Sequence, residues 1–133
     1  MFNKIVLKYA DNTIKKGTAQ NFLPKREFFH IVEMDESGKS SAPPLQVKLA
    51  DLKAIFFVKT LEGKRGYDED YSIERVGMGK RVQVTFKDGE TIIGYTHGFN
   101  VNRTGFFLFP ADPMSNNERI FVITNSTSSV DFV

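Results

Sequence analysis

The feature that most constrains this chain is that it repeats itself. Shifted by 77 residues, YADNTIKKGTAQNFLPKREFFHIV (Tyr9 to Val32) lies without a gap on FKDGETIIGYTHGFNVNRTGFFLF (Phe86 to Phe109). Asp11 then meets Asp88, Gly17 meets Gly94, Phe22 meets Phe99 and Phe29 meets Phe106. Upstream, Ile5, Leu7 and Tyr9 fall on Val82, Val84 and Phe86, so the alternating apolar register is shared as well. After a connection two residues longer in the first copy, the offset becomes 75 and LQVKLADLKAIFFV (Leu45 to Val58) pairs with IFVITNSTSSVDFV (Ile120 to Val133). Self-similarity at a fixed spacing is the mark of one structural unit used twice. The expected organisation is a first repeat over residues 1–58, a linker over 59–80 and a second repeat over 81–133.

Each copy reads as β. The V-x-V-x-F alternation from Val82 to Phe86 has the period of a half-buried strand, and β-branched and aromatic residues dominate such segments. Strands are expected near 4–10, 13–22, 27–34, 45–49 and 54–58, then 81–87, 90–99, 104–109, 119–124 and 129–133. Asp88-Gly89 predicts a two-residue type I′ hairpin, and Asp11-Asn12 sits at the matching turn, where Asn tolerates left-handed backbone better than most residues. Gly17 and Gly94 fall mid-strand, where glycine marks a sharp bend or bulge of the kind that curls a short sheet into a barrel. ADLKA, at Ala50 to Ala54, and part of the linker carry the only helix-like hints.

With 133 residues, no cysteine, thirteen Phe and no Trp, the core must rest on phenylalanine. The absence of cysteine excludes disulfides, thiolate metal sites and cysteine nucleophiles. Hydrophobic content of 41% and charged content of 26% are those of an ordinary globular chain. No run approaches a membrane span and MFNKIVLKYADN lacks a signal peptide's apolar stretch, so the cytoplasm is the expected compartment. The net charge is only +2 but unevenly spread: residues 1–58 hold nine Lys/Arg against six Asp/Glu, 59–80 five against five, and 81–133 four against five. The first half is the more anion-facing, although its surplus falls short of a polybasic patch.

The pattern V-x-V-x-(F/L)-x-D-G-x-x-(I/V)-x-G, followed by an aromatic-ended strand, a third strand and a closing strand–turn–strand, resembles the Sm-like small barrel. The resemblance covers about fifty residues in each half and implies an all-β fold: two five-stranded Sm-like (Src-homology-3-like) barrels, duplicated and packed together across Phe-rich faces. Sm-like RNA binders carry an Asp-x-x-Met-Asn loop and a later Arg-Gly or Lys-His loop; here Asn100-Val101-Asn102-Arg103 and Asn125-Ser126 stand there instead. Nearly the whole chain also resembles an uncharacterised bacterial small β domain through DLKAIFFVKTLEG, the V-x-V-x-F-x-D-G-E-x-x-x-G run and GFF-x-x-P-A-D-P-x-x-N-N-E-R-I-F-V. That resemblance implies no established catalysis and supplies no ligand.

Candidate contacts are few. In TGFFLFPADPMSNNERIFV, Pro110 and Pro113 rigidify a hairpin connection, Asp112 can turn the chain, and Asn116 and Asn117 suit left-handed positions. Arg119 is left over, to pair with Asp112 or Glu118 or to receive a phosphate or carboxylate. Phe106 belongs to a double Phe whose two rings take opposite faces of one strand, one toward a core and one toward an interface. Phe22, Phe99 and Arg103, with the basic residues Lys15, Lys16, Lys25 and Arg26, could supply stacking and phosphate contacts to single-stranded RNA. Asp68-Glu69-Asp70 is a solvated acidic run without a second ligand cluster. His30 and His97 occupy unmatched positions and no nucleophile–base pair is proposed by any motif, so no enzymatic activity, cofactor or metal is expected.

The favoured class is a protein-interaction or regulatory module using sheet edges or Phe-rich faces, as a monomer or homodimer. Single-stranded RNA or other nucleic-acid binding is the second. A PilZ-type cyclic-dinucleotide receptor is third, since Arg26 has no Arg four residues away and the DESGK run at Asp35 is one residue too tight for that family's motif.

Overall fold

All ten expected strands form, and they join into one antiparallel sheet. The computed structural model describes residues 3–19, 21–35, 37–40 and 43–133. The first half gives β1 (Asn3–Tyr9), β2 (Ile14–Ala19), β3 (Phe28–Glu33), β4 (Leu45–Lys48) and β5 (Leu52–Val58). The second gives β6 (Lys80–Phe86), β7 (Thr91–Thr96), β8 (Gly105–Pro110), β9 (Asn117–Ile123) and β10 (Thr127–Phe132). Their order across the sheet is β10-β6-β7-β8-β9-β5-β1-β2-β3-β4. In each half the last strand returns beside the first, so β5-β1-β2-β3-β4 and β10-β6-β7-β8-β9 are the same arrangement. The helix-like ADLKA hint is a single 3-10 turn, Leu49–Asp51, and its counterpart Thr124–Ser126 stands 75 residues later. Among the described residues no helix is long and apolar enough to cross a membrane.

The sequence predicts two barrels packed together and leaves open one larger merged barrel; the ten strands form a single sheet, continuous through a joint where β5 pairs with β9. All seven residues of β5 are buried, because both faces of that joint are covered. Leu52, Ile55 and Phe57 face a core with Phe121 and Ile123 of β9, while Ala54, Phe56 and Val58 face a second core with Ile120 and Val122. A strand covered on both sides has no solvent face to alternate toward, hence the unbroken run AIFFV. Lys53 is the exception. The register of β1 on β5 slips by one residue there, pairing Lys8 with Ala54 but Tyr9 with Leu52, and such a bulge re-aims a side chain. The Lys53 ammonium reaches Asp88 Oδ2 at 2.7 Å and Glu90 Oε1, and lies 4.6 Å from the centre of the Phe86 ring. Burial works against that charge, but the two carboxylate hydrogen bonds outweigh it and hold the lysine proton above its ordinary range. The ion cluster ties the joint to the first hairpin of the second half.

The hairpin turns differ from expectation in one respect. Asp88-Gly89 does not form a two-residue type I′ loop, which needs two left-handed residues. Only Gly89 is left-handed, at φ 94°, and the Phe86 N–H donates to Glu90 O at 2.8 Å, closing a three-residue loop. The first half builds the same loop, with Asn12 at φ 75° and the Tyr9 N–H donating to Thr13 O at 2.8 Å. Both loops are braced alike: Asp88 accepts from the Glu90 N–H, and Asp11 from the Thr13 N–H, each at 2.9 Å. A single left-handed residue ending a type I turn matches strand twist through a bulge, and Asn meets that need nearly as well as Gly.

Candidate ligand-binding cleft

The β2–β3 and β7–β8 connections occupy equivalent places in the repeat and converge on one cleft. Each begins with a phenylalanine that turns inward. Phe22 packs edge-on against Phe29 at 5.4 Å and Phe121 at 5.1 Å between ring centres, and Phe99 packs against Phe106 at 4.9 Å. Each then makes the same tight turn: the Arg26 N–H donates to Leu23 O at 3.0 Å, and the Arg103 N–H to Asn100 O at 3.1 Å. With the aromatic ring anchoring the loop's base, the basic residues at its tip are left in solvent. In the first half the loop is also tied to β3, where Asn21 Oδ1 accepts the His30 N–H at 2.9 Å. His30 is exposed on that strand.

The cleft opens because β7 and β8 pair over only Gly94–Pro110 and Tyr95–Phe109. Beyond them the Thr96 hydroxyl takes over from the ladder, donating to Phe107 O at 2.8 Å. The space between the two loops has a volume of about 1210 Å³. Lys25 and Arg26 of the first loop line it together with His97 and Arg103 of the second, and Phe107 and Phe109 are among the other lining residues. Among the described residues no Asp or Glu lines it. Among the described residues, the side chains of Lys25, Arg26 and Arg103 make no hydrogen bond or ion pair, so their charge is available to a ligand. Lys15 and Lys16 lie elsewhere: Lys15 is 3.6 Å from Glu33, and Lys16 donates to Leu61 O at 2.8 Å.

The other singled-out residues serve different places. Phe106 is buried in the second core. Arg119 is half-buried at the joint, its guanidinium 4.3 Å from the Phe57 ring centre and 4.7 Å from that of Phe107, and it pairs with neither Asp112 nor Glu118 among the described residues. Stacking on two rings accounts for an arginine without an ion pair. Asp112 and Asn116 hold the linker against the β8–β9 connection, and Asn117 opens β9 at its end. Asp112, 1% exposed, accepts from the Tyr67 hydroxyl, from the Asp70 N–H at 3.0 Å and from the Met114 N–H at 2.8 Å. Asn116 exchanges bonds with Thr60, accepting its N–H at 3.2 Å and donating to its carbonyl at 3.0 Å. The Asn117 N–H donates to Ser115 Oγ at 3.0 Å as β9 begins. The Asp70 carboxylate is itself occupied by the Ser72 N–H and hydroxyl, at 2.9 and 2.6 Å.

This anchorage is pH-sensitive. The hydrogen bond from Tyr67 holds the Asp112 carboxyl below its ordinary range, and the same bond pushes the Tyr67 hydroxyl up to about 12. A phenol whose folded pKa lies above its unfolded value of 10.0 contributes stability that is full below pH 10 and fades as the pH climbs through about 12. Asp112 acts in the opposite direction, its contribution present above the ordinary 3.8 and lost as the pH falls through its lower folded value. Melting curves between pH 9 and 12 are therefore expected to show a smaller alkaline loss for Tyr67→Phe than for the wild type; equal losses would disconnect Tyr67 from the anchorage.

Of the residues the sequence offers for nucleic-acid contacts, Lys25, Arg26 and Arg103 line the cleft, whereas Phe22 and Phe99 pack against the two cores instead of standing among the lining residues. His97, Phe107 and Phe109 were missed as site residues, because the cleft joins loops more than seventy residues apart. The coincidence of Arg26 with Arg103 at the 77-residue offset was the available signal. No curated protein and no solved structure matches the chain. Over residues 1–133 it matches the model of a family described as of unknown function (DUF6982), and it belongs to that family.

Proposed function

We propose that this chain is a non-catalytic binding module whose cleft holds a segment of single-stranded nucleic acid. The observation that carries this reading is the cleft itself, which among the described residues has three cations without partners, no carboxylate, and phenylalanine in its lining. Single strands are held in this manner, by a basic groove that follows the phosphates and aromatic side chains on which bases stack. A volume of about 1210 Å³ exceeds that of a usual small-molecule pocket, about 300–1,000 Å³, and suits several linked nucleotides better than one metabolite. The net charge of +2 makes general adhesion to polyanions weak, so binding rests on this local concentration of charge. The repeated strand order, turns and mid-strand glycines support a duplicated Sm-like small barrel as the origin of the two loops.

Three phosphate contacts on a single strand give a slope of about −2 for log affinity against log salt. Fluorescence anisotropy with short single-stranded RNA and DNA is therefore expected to show affinity falling about 15-fold between 50 and 200 mM salt. Absence of binding at the lower salt, or binding indifferent to salt, would sink the reading. A protein-interaction role draws support from β10, an edge strand with Phe132 and Val133 exposed, where a partner strand could add. The opposite edge, β4, follows Pro43-Pro44, which lack the N–H groups such pairing needs. If oligonucleotides fail to bind, β10 is the surface on which to seek a protein partner.

A further inference from the structure

We propose that Arg26 and Arg103 act as a matched pair that grips two phosphates of one strand, so that the smallest ligand recognised in full carries two phosphate groups. This rests on the nucleic-acid reading of the cleft and adds to it a stoichiometry and a division of labour.

The two arginines are the same residue of the repeat, 77 positions apart. Each follows an inward-turned phenylalanine by four positions and closes a turn through its own N–H, to Leu23 O at 3.0 Å and to Asn100 O at 3.1 Å. Both loops line one cleft. The two arginines therefore meet a single occupant from two different loops, and neither has a carboxylate to neutralise it among the described residues. Like charges facing one cavity without a counterion raise its potential, and an occupant bearing two separated anionic groups relieves that best. Guanidinium presents a planar fork of donors that fits phosphate oxygens in pairs, which makes two arginines two separate phosphate seats rather than one diffuse field. Phe109, half-buried among the lining residues, offers a ring to a ligand whose phosphates alternate with flat bases. Lys25 has no cationic counterpart, since Asn102 stands at its offset position. It adds charge to one loop only and serves as the control.

The test compares thymidine 5′-monophosphate with 5′-phosphorylated dithymidylate, one phosphate against two, by calorimetry at 50 mM salt on the wild type and on Arg26→Ala, Arg103→Ala and Lys25→Ala. Both arginines are exposed and free of side-chain bonds, so unchanged melting temperatures should accompany the substitutions. The wild type is expected to prefer the two-phosphate ligand about tenfold, the scale of one charge-assisted hydrogen bond. That preference should collapse in either arginine variant and survive in Lys25→Ala, where both ligands weaken together. A preference that persists in one arginine variant would overturn the pairing. Longer single strands that bind the wild type without loss in either arginine variant would also overturn it while leaving the nucleic-acid reading intact. If no single strand binds the wild type, the reading of the cleft fails and the pair with it.

Discussion

Gly94→Ala is expected to cost about 3 kcal/mol or more and to lower the melting temperature by about 10 °C, well beyond any surface substitution. A Cβ built at this position lies 2.4 Å from Phe109 O and 3.0 Å from Leu108 Cγ. The first of those atoms belongs to the backbone of β8, which crosses β7 where Gly94 pairs with Pro110. A side chain could rotate away, but a carbonyl within a ladder cannot move without breaking the pairing beside it. Gly17→Ala is expected to behave alike, since its Cβ would stand 2.2 Å from Val32 O, the equivalent carbonyl of the first half. Against a total stability of about 5–15 kcal/mol, either change removes a large share. Thermal melts followed by circular dichroism decide the matter: a midpoint within about 2 °C of the wild type for Gly94→Ala would mean that the two strands can separate freely.

Those glycines were legible because a strand interior is a poor place for glycine unless backbone comes close. The strand positions were legible for a similar reason, alternation being imposed by a sheet with one wet face. The joint was not. Under the 75-residue offset, β5 aligns with β10, yet Ala54 and Phe56 of β5 correspond to Ser129 and Asp131 of β10. That contrast separates a strand covered on both faces from one at a sheet edge, and periodicity alone does not distinguish a doubly covered strand from other short apolar runs. The turns were read correctly in residue preference and incorrectly in length, because Asp-Gly serves both two-residue and three-residue hairpins and only the backbone angle of Asp88 separates them. The cleft was the least legible feature. Its lining comes from both halves, which the joint between β5 and β9 brings together.

Phe121→Ala carries the second large effect and tests whether the halves are one folding unit. Phe121 lies on β9, in the second half, but its ring is 1% exposed inside the first half's core. It contacts Phe22 at 5.1 Å and Phe107 at 5.0 Å between ring centres, and in register it faces Ile55 across the joint. Emptying such a site costs about 3–5 kcal/mol, through the lost transfer energy of the ring and the cavity left behind. Its neighbours Ile120 and Val122 enter the other core from the opposite face of the same strand. Neither core can lose β9 and stay closed, so damage on one face is transmitted to the other by the strand they share. The expected result is a single unfolding transition displaced to lower temperature by about 10–15 °C, with the calorimetric and van't Hoff enthalpies still equal. Two resolved transitions, with only one displaced, would mean that each half keeps its own core and that β5 and β9 join two independent folding units.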